Sequence, residues 1–384
     1  MFEGQPGAIE RFRAAVIADA RLQAELGAAE DWPAFSAKAR DAAPRLGLAP
    51  DDLDFSSLRR SDPLGLLRFK PPTGVAPQTP QAGWLPAQLA LDGAAPAVDW
   101  VYFGARRLGA PLYEGDLRSA LARPFNMVFR FRTPLSELGR WARALPGLRP
   151  SGLIFHMSRC GSTLVSQMLA ASPANLMVSE AGPIDAILQL GGAAPTGLQD
   201  MIGALGQARN GEQRYFIKLE AWHLLAMPAF RAAFPGTPWL FLYRDPAEVV
   251  VSHMRQPAQL APAAVLDAVC GAGAAEQGGP DLCARTLGAI CRAALEARAG
   301  GGGLLVDYRE LPDAVWSRIL PHFGVACDDD ERAAMAAAAR FDAKAPWLAF
   351  AGDAQEKQRL ADDAVRAACR DHLDDDYARL VALG

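Results

Sequence analysis

Short apolar runs alternate with helical stretches over residues 151–345, and this pattern predicts an α/β domain. Five runs are apolar almost throughout and have the length of strands: residues 153–157, 175–179, 215–219, 239–243 and 304–308. Strands that are buried on both faces have this composition, as in a parallel sheet covered by helices. We therefore predict a parallel sheet flanked by helices, of the α/β class.

The pattern differs on either side of this domain. Apolar residues recur at helical spacing over residues 8–60, which predicts a small helical module within residues 1–60. Prolines are frequent in 61–97, which favours a linker or an extended arm. Apolar patterning resumes in 98–150, a stretch that we expect to pack on the α/β core. Residues 346–384 are expected to form a C-terminal lid and helix.

Composition excludes several classes of function. The chain has 384 residues, is 51% hydrophobic and carries a formal net charge of -4, so it can bury a large core and has no basic field for nucleic acid. Its first residues lack the apolar core of a secretion signal, and no run approaches the roughly 18 apolar residues of a membrane span. The six cysteines form no C-x-x-C pair and the five histidines are scattered, so we expect no metal site and a cytoplasmic protein.

A polar turn follows the first predicted strand and leads into a helix, with the sequence FHMSRCGSTL. Free N–H groups at the start of a helix attract anions, and Arg159, Ser162 and Thr163 can add further donors. A Walker loop has a lysine directly after its last glycine, whereas here Ser162 follows Gly161. The turn therefore predicts a phosphate-binding loop that is not built for magnesium-ATP.

A second junction, YRDPAEVVVS, follows the fourth predicted strand. Asp245 is predicted to cap the next helix, with Pro246 as its first residue and Glu248 as the reciprocal member of a capping box. Arg244 and Ser252 have no part in capping. Because ligands bind at the carboxyl edge of a parallel sheet, we expect these two residues to hold a second phosphate.

Together the two motifs resemble those of the P-loop-type sulfotransferases that use 3′-phosphoadenosine 5′-phosphosulfate (PAPS). The resemblance covers roughly residues 150–345 and implies a sulfotransferase-like fold. It implies PAPS as the donor, adenosine 3′,5′-bisphosphate (PAP) as the product, and no metal. By the same resemblance residues 159–163, including Cys160, hold the 5′-phosphosulfate, and Arg244 and Ser252 hold the 3′-phosphate.

The arginine of the loop makes the likeness closer to the branch that includes the tyrosylprotein sulfotransferases, since the cytosolic small-molecule enzymes have a lysine there. In that branch a glutamate after the second strand is the catalytic base, and a lysine between the two motifs assists the transfer. The matching residues of this chain are Glu180 and Lys218. The resemblance therefore implies that Glu180 takes the proton and that Arg159 and Lys218 stabilise the leaving group.

Other residues near the motifs have weaker assignments. His156 precedes the loop and is an alternative base or a hydrogen-bond donor to a phosphate. Cys160 is expected to fill space, with a thiol pKa that its place near a helix N-terminus could lower. The family often uses basic residues of a late loop on the 3′-phosphate, and Lys344 and Lys357 are the candidates for such a lid.

Two other functions stay open at this point. One is an ATP- or GTP-dependent phosphotransferase (kinase) with an atypical loop, and the other is a non-catalytic nucleotide-binding scaffold. If the chain is a transferase, its acceptor is a hydroxyl of a peptide, glycan, lipid or metabolite. Acceptor choice is expected to lie in loops at 181–214 and 255–285. The helical module could bind a peptide or a carrier protein.

Overall fold

The computed structural model describes residues 7–59, 66, 70–72, 74–93, 95–191, 195–257, 259–343 and 353–384. The chain divides into two compact units. The first unit joins Met1–Leu148 with Ala181–Glu212, and the second joins Arg149–Glu180 with Gln213–Gly384. The segment Ala181–Glu212 thus belongs with the N-terminal part of the chain, whereas the apolar pattern placed it inside the α/β domain.

The strands form two sheets. In the first sheet β1 (Trp84–Ala90), β2 (Ala97–Tyr102) and β3 (Phe131–Pro134) pair antiparallel in that order. The second sheet is parallel in every pair and has the order β5-β6-β4-β7-β8. Its strands are β4 (Pro150–His156), β5 (Asn175–Ser179), β6 (Arg214–Lys218), β7 (Trp239–Tyr243) and β8 (Gly303–Asp307).

The α-helices of the described ranges are, in chain order, α1 (Ala8–Ala18), α2 (Ala20–Gly27), α3 (Trp32–Ala42), α4 (Tyr113–Leu121), α5 (Pro124–Phe129), α6 (Leu138–Ala144), α7 (Ser162–Ala171), α8 (Gly182–Gln189), α9 (Pro195–Leu205), α10 (Met227–Ala233), α11 (Pro246–Arg255), α12 (Ala263–Cys270), α13 (Gly279–Ala299), α14 (Leu320–His322), α15 (Asp329–Ala338), α16 (Ala354–Leu360), α17 (Asp363–His372) and α18 (Asp374–Leu383). Among these helices none has both the length and the apolar character needed to cross a membrane.

The first unit is built around an aromatic core. The rings of Trp100 and Trp141 stack with centroids 4.2 Å apart. Helices α1 and α3 share this core, because Phe12 and Phe35 both contact the ring of Phe129 on α5. The N-terminal helices therefore pack on the stretch that follows the proline-rich segment.

Strand β1 lies inside the stretch for which a linker or an extended arm was predicted. Its apolar side chains other than Leu89 are buried, so it is a packed element of the sheet. Pro86 stands where the register between β1 and β2 shifts, and an irregular position of this kind tolerates the missing N–H of proline. The number of prolines therefore did not decide the structure of this segment.

The second unit contains all five strands that the apolar runs predicted. Every residue of β5 and β7 is buried, as expected for strands covered by helices on both faces. The prediction of a parallel sheet flanked by helices is confirmed.

The strand order positions the functional residues. Strand β4 is the first strand of the parallel sheet in sequence, and it lies between β6 and β7. In the register of the sheet, Ile154 is opposite Lys218, and Ser179 is also opposite Lys218 from the other side. The residues that follow β4, β5, β6 and β7 therefore meet at one edge of the sheet, where ligands bind in folds of this class.

Candidate functional site

The loop between β4 and α7 has an unusual backbone. Ser158 and Arg159 adopt left-handed conformations with φ of 73° and 52°, and Gly161 has φ of 84°. Non-glycine residues rarely adopt this conformation, and when they do they cluster at ligand-binding sites. The tertiary structure thus holds this loop in a shape that local preferences do not favour.

The same loop presents unpaired donors. The backbone N–H groups of Arg159, Cys160, Gly161 and Thr163 make no hydrogen bond to any residue that the structure describes. They lie at the start of α7, where the helix dipole adds positive potential. Such a group of N–H donors binds anions.

Gly161 is required by packing as well as by conformation. A Cβ at this position would lie 2.8 Å from Cδ1 of Leu311 and 2.9 Å from Cδ2 of Tyr308. The other neighbour of Tyr308 is Arg244, whose Cζ lies 4.0 Å from the centroid of the tyrosine ring. Tyr308 therefore packs against both motifs and holds the loop beside the arginine.

Glu180, the residue after β5, is connected to the loop through Lys218. Its backbone is left-handed, with φ of 50°, and its N–H donates to the carbonyl of Lys218 at 2.7 Å. The Nζ of Lys218 lies 2.6 Å from Oε1 of Glu180 and donates to Oγ1 of Thr163 at 3.2 Å. A buried ammonium thus joins the carboxylate to the anion-binding loop.

The charge of Glu180 is strongly stabilised. Burial by itself raises the pKa of this carboxyl, but the ammonium of Lys218 and the ring of His156 outweigh it. The net result is a pKa of Glu180 well below its ordinary value. A carboxylate in this state is a weak base as long as the ammonium stays in contact with it.

His156 supports Glu180 from the end of β4. Its Nδ1 accepts a hydrogen bond from the N–H of Ser158 at 3.0 Å. Burial lowers the pKa of the ring, although the neighbouring Glu180 opposes this, so the ring is neutral and its proton is on Nε2. Nε2 lies 3.3 Å from Oε1 of Glu180, without the geometry of a full hydrogen bond. Neither ring nitrogen is then free to take a proton.

Arg244, the residue after β7, is buried and surrounded by acceptors. Its Nε donates to Glu248 at 2.6 Å and its Nη2 donates to Asp353 at 2.7 Å. Its Nη1 reaches the carbonyl of Arg159 at 3.5 Å, which ties the second motif to the first. This guanidinium is therefore adjacent to the loop.

The helix start after Arg244 agrees with the sequence in part. Asp245 accepts a hydrogen bond from the N–H of Glu248 at 3.2 Å, and Pro246 is the first helical residue, both as predicted. The predicted capping box is wrong, because the side chain of Glu248 turns to Arg244 instead of the backbone of Asp245. A buried guanidinium makes a charge-assisted hydrogen bond, which is stronger than one to a backbone N–H.

Helix α11 is also linked to the loop through its later residues. The ring of His253 is 3.1 Å from Oγ of Ser158, and Arg159 donates to the carbonyl and the side chain of Gln256. Ser252 lies on the same helix, and its hydroxyl makes no hydrogen bond in the described part of the chain. The predicted phosphate residues of the two motifs are thus brought to neighbouring elements.

Three further assignments have different outcomes. The thiol of Cys160 donates to the carbonyl of Leu242, and burial raises its pKa to about 12, opposite to the expected direction. Lys344 lies outside the described residues. Lys357 is paired with Asp353 at 2.7 Å. Sequence reasoning missed Asp353 and Gln256, since no local pattern marks a polar residue just before a late helix or just after a helix end.

The described ranges contain no group of three or more His, Cys, Asp or Glu side chains that could hold a metal ion.

Comparisons with known proteins give limited similarity. No family model and no curated protein matches the chain. It is 14% identical to a sulfotransferase from Mycobacterium avium, with a TM-score of 0.35 over 51% of this chain and 68% of that one. It is 18% identical to the sulfotransferase domain of the Synechococcus PCC 7002 olefin synthase, with a TM-score of 0.35 over 57% and 88%. The sulfotransferase domain of the curacin biosynthetic pathway is 14% identical, with a TM-score of 0.37 over 59% and 98%. At these values similarity assigns neither family nor function.

Proposed function

We propose that this protein transfers the sulfuryl group of PAPS to a hydroxyl acceptor, with Glu180 as the general base. The observation that carries the proposal is the contact chain from Glu180 through Lys218 to Thr163. It places a proton acceptor and a positive charge next to a loop of free N–H donors. The motif resemblance to the arginine-loop branch of the sulfotransferases supports the same roles.

The residues present fit a donor with two anionic ends. The free N–H groups of Arg159, Cys160, Gly161 and Thr163 would hold the 5′-phosphosulfate. Arg244 and Ser252 would hold the 3′-phosphate, since a guanidinium and a hydroxyl both donate hydrogen bonds to phosphate oxygens. The positive charge that a Walker loop takes from its own lysine would come here from Lys218 on β6. This arrangement favours PAPS over magnesium-ATP.

The donor, when bound, supplies the sulfuryl group, and PAP is the product. The acceptor oxygen forms a bond to sulfur, the bond from sulfur to the phosphate oxygen breaks, and the acceptor proton passes to Glu180. Lys218, Arg159 and the loop N–H groups stabilise the negative charge that develops on the leaving phosphate. The acceptor is a hydroxyl of a peptide, glycan, lipid or metabolite.

The low pKa of Glu180 suggests how the base is controlled. Lys218 already contacts both Glu180 and Thr163, so an anion in the loop would compete for its charge. As the ion pair between Lys218 and Glu180 weakens, the pKa of the carboxyl rises toward its ordinary value and the group becomes a better base. Donor binding would therefore strengthen the base at the moment that it is needed.

His156 has a positioning role in this proposal. Its Nδ1 accepts from the loop backbone, and its Nε2 faces Glu180. The ring can orient the carboxylate, and because it also contacts the loop backbone, a change in the loop would shift it relative to Glu180. It has no free nitrogen to accept a proton. We therefore assign the base to Glu180.

Calorimetric titration of the whole chain with PAP and, separately, with magnesium-ATP tests the proposal. We expect binding of PAP to be much tighter than that of magnesium-ATP. Incubation with sulfur-labelled PAPS and a pool of hydroxyl compounds should then transfer label to an acceptor. Tight binding of magnesium-ATP together with no binding of PAP would show that the chain is a different nucleotide-binding protein.

A further inference from the structure

Arg244 has two carboxylate partners that differ in how firmly they are held. Glu248 is on α11, four residues along the chain, and its side chain is only 10% exposed. Asp353 precedes α16, more than a hundred residues away, and its side chain is 44% exposed. Glu248 is therefore a permanent counterion of Arg244, whereas Asp353 is at the solvent edge and can leave.

The departure of Asp353 would not leave its charge without a partner. The Nζ of Lys357, one turn along α16, lies 2.7 Å from Oδ2 of Asp353. Arg244, in contrast, has a side chain that is only 6% exposed, and a buried cation requires compensating negative charge. Glu248 still neutralises Arg244 once Asp353 has moved, but an anion is the group best suited to replace Asp353, because it makes a charge-assisted hydrogen bond to the guanidinium.

Helix α16 has contacts of its own that keep it on α11. Gln358 donates to Glu248 at 3.3 Å, and Glu356 pairs with Arg255 at 2.7 Å. These contacts do not involve Asp353. A change of rotamer at Asp353 is thus enough to free Nη2 of Arg244 for another acceptor, and α16 need not move.

We propose that Asp353 is an internal competitor of the donor, because its carboxylate occupies the position of the 3′-phosphate on Arg244 until a nucleotide with that phosphate replaces it. This inference rests on the proposed function. A phosphate monoester carries about -1.5 to -2 charges and three acceptor oxygens, so it outcompetes a single carboxylate for a guanidinium. A 3′-hydroxyl has no charge and cannot replace Asp353. Nucleotides such as AMP and ATP therefore gain nothing from Arg244.

The test compares PAP with AMP, which differ by the 3′-phosphate, on three whole-chain proteins. Asp353→Asn keeps the shape of the side chain and removes its charge. Glu356→Gln is the matched control, because it removes one charge from the same helix away from Arg244. We expect Asp353→Asn to bind PAP about 10-fold more tightly than the wild type, which corresponds to about 1.4 kcal/mol.

Affinity for AMP should stay within a factor of about 2 in all three proteins, and Glu356→Gln should match the wild type for both nucleotides, since an exposed pair contributes little. Unchanged or weaker PAP binding by Asp353→Asn overturns the inference and leaves the proposed function standing. Equal tightening for PAP and AMP also overturns it, because the effect would then not concern the 3′ position. If none of the three proteins binds PAP, both proposals fail. Thermal melting of each protein establishes that it is folded.

Discussion

Replacing Lys218 by methionine removes the ammonium that contacts Glu180 at 2.6 Å and leaves a buried carboxylate without its main partner. The side chain of Lys218 is 1% exposed and that of Glu180 is 16% exposed, so water does little to compensate either charge. Removing one partner of a buried pair typically costs about 3–5 kcal/mol of unfolding free energy. We expect the unfolding free energy of Lys218→Met and that of Glu180→Gln each to be lower than that of the wild type by about 3–5 kcal/mol.

The double variant separates the pair from other effects. In Glu180→Gln/Lys218→Met neither charge is left alone, so the loss should be smaller than the sum of the single losses by about 2–3 kcal/mol. Urea denaturation at pH 7 of the wild type and the three variants gives this coupling energy. The same cycle on Arg255 and Glu356, whose side chains are 54% and 59% exposed, is the control and should give at most about 1 kcal/mol.

The pH dependence gives a second measurement on the same proteins. Because the folded-state pKa of Glu180 is depressed, its contribution to stability is present above the pKa of an unfolded glutamate and is lost as the pH falls. In Lys218→Met the carboxyl prefers its protonated form, which low pH supplies. The difference in unfolding free energy between wild type and Lys218→Met should therefore narrow as the pH falls toward and through about 4.5. Two outcomes would refute the reasoning. One is a loss in the double variant that equals the sum of the single losses to within about 0.5 kcal/mol. The other is a stability difference between wild type and Lys218→Met that does not change with pH.

Three further predictions concern catalysis and donor binding. Glu180→Gln should lower kcat by about 10²–10⁴-fold in the sulfur-transfer assay. Its affinity for PAP should be at least that of the wild type, because Lys218 is then free for the loop anion. A variant that keeps most of its turnover would remove Glu180 from the role of base. His156→Gln retains an N–H donor and should keep more turnover than His156→Ala, whereas a loss for His156→Gln as large as that for Glu180→Gln would make the histidine the base. Tyr308→Phe should bind PAP like the wild type in calorimetry. Tyr308→Ala should bind it about 10-fold more weakly, because stacking of the ring on Arg244 contributes up to about 2 kcal/mol. Equal affinities of the two variants would contradict the positioning role of the ring.

Much of the second unit could be predicted because its elements have strong local patterns. The five apolar runs are all strands, and the polar turn after the first of them leads into α7 as expected. The N-cap of α11 was predictable from Asp245 and Pro246, since capping depends on neighbours in the chain. Glu248 was misassigned because its partner, Arg244, offers a buried charge that a capping rule does not consider.

The first unit was less predictable. The proline-rich stretch contains β1, and the segment Ala181–Glu212 joins the N-terminal part of the chain. Both outcomes depend on which apolar surfaces bury one another. A periodic pattern shows which face of an element is buried, but it does not identify the element that covers it.

The sequence by itself determined the parallel α/β class. It also predicted that the loop at residues 159–163 binds an anion, and the resemblance to the sulfotransferases implied the roles of Glu180 and Lys218. Only the tertiary structure decided that Lys218 joins Glu180 to Thr163 and that Asp353 lies on Arg244. The physical reason is that these contacts connect residues far apart in the chain. They depend on the strand order and on where a late helix packs, and short-range preferences encode neither.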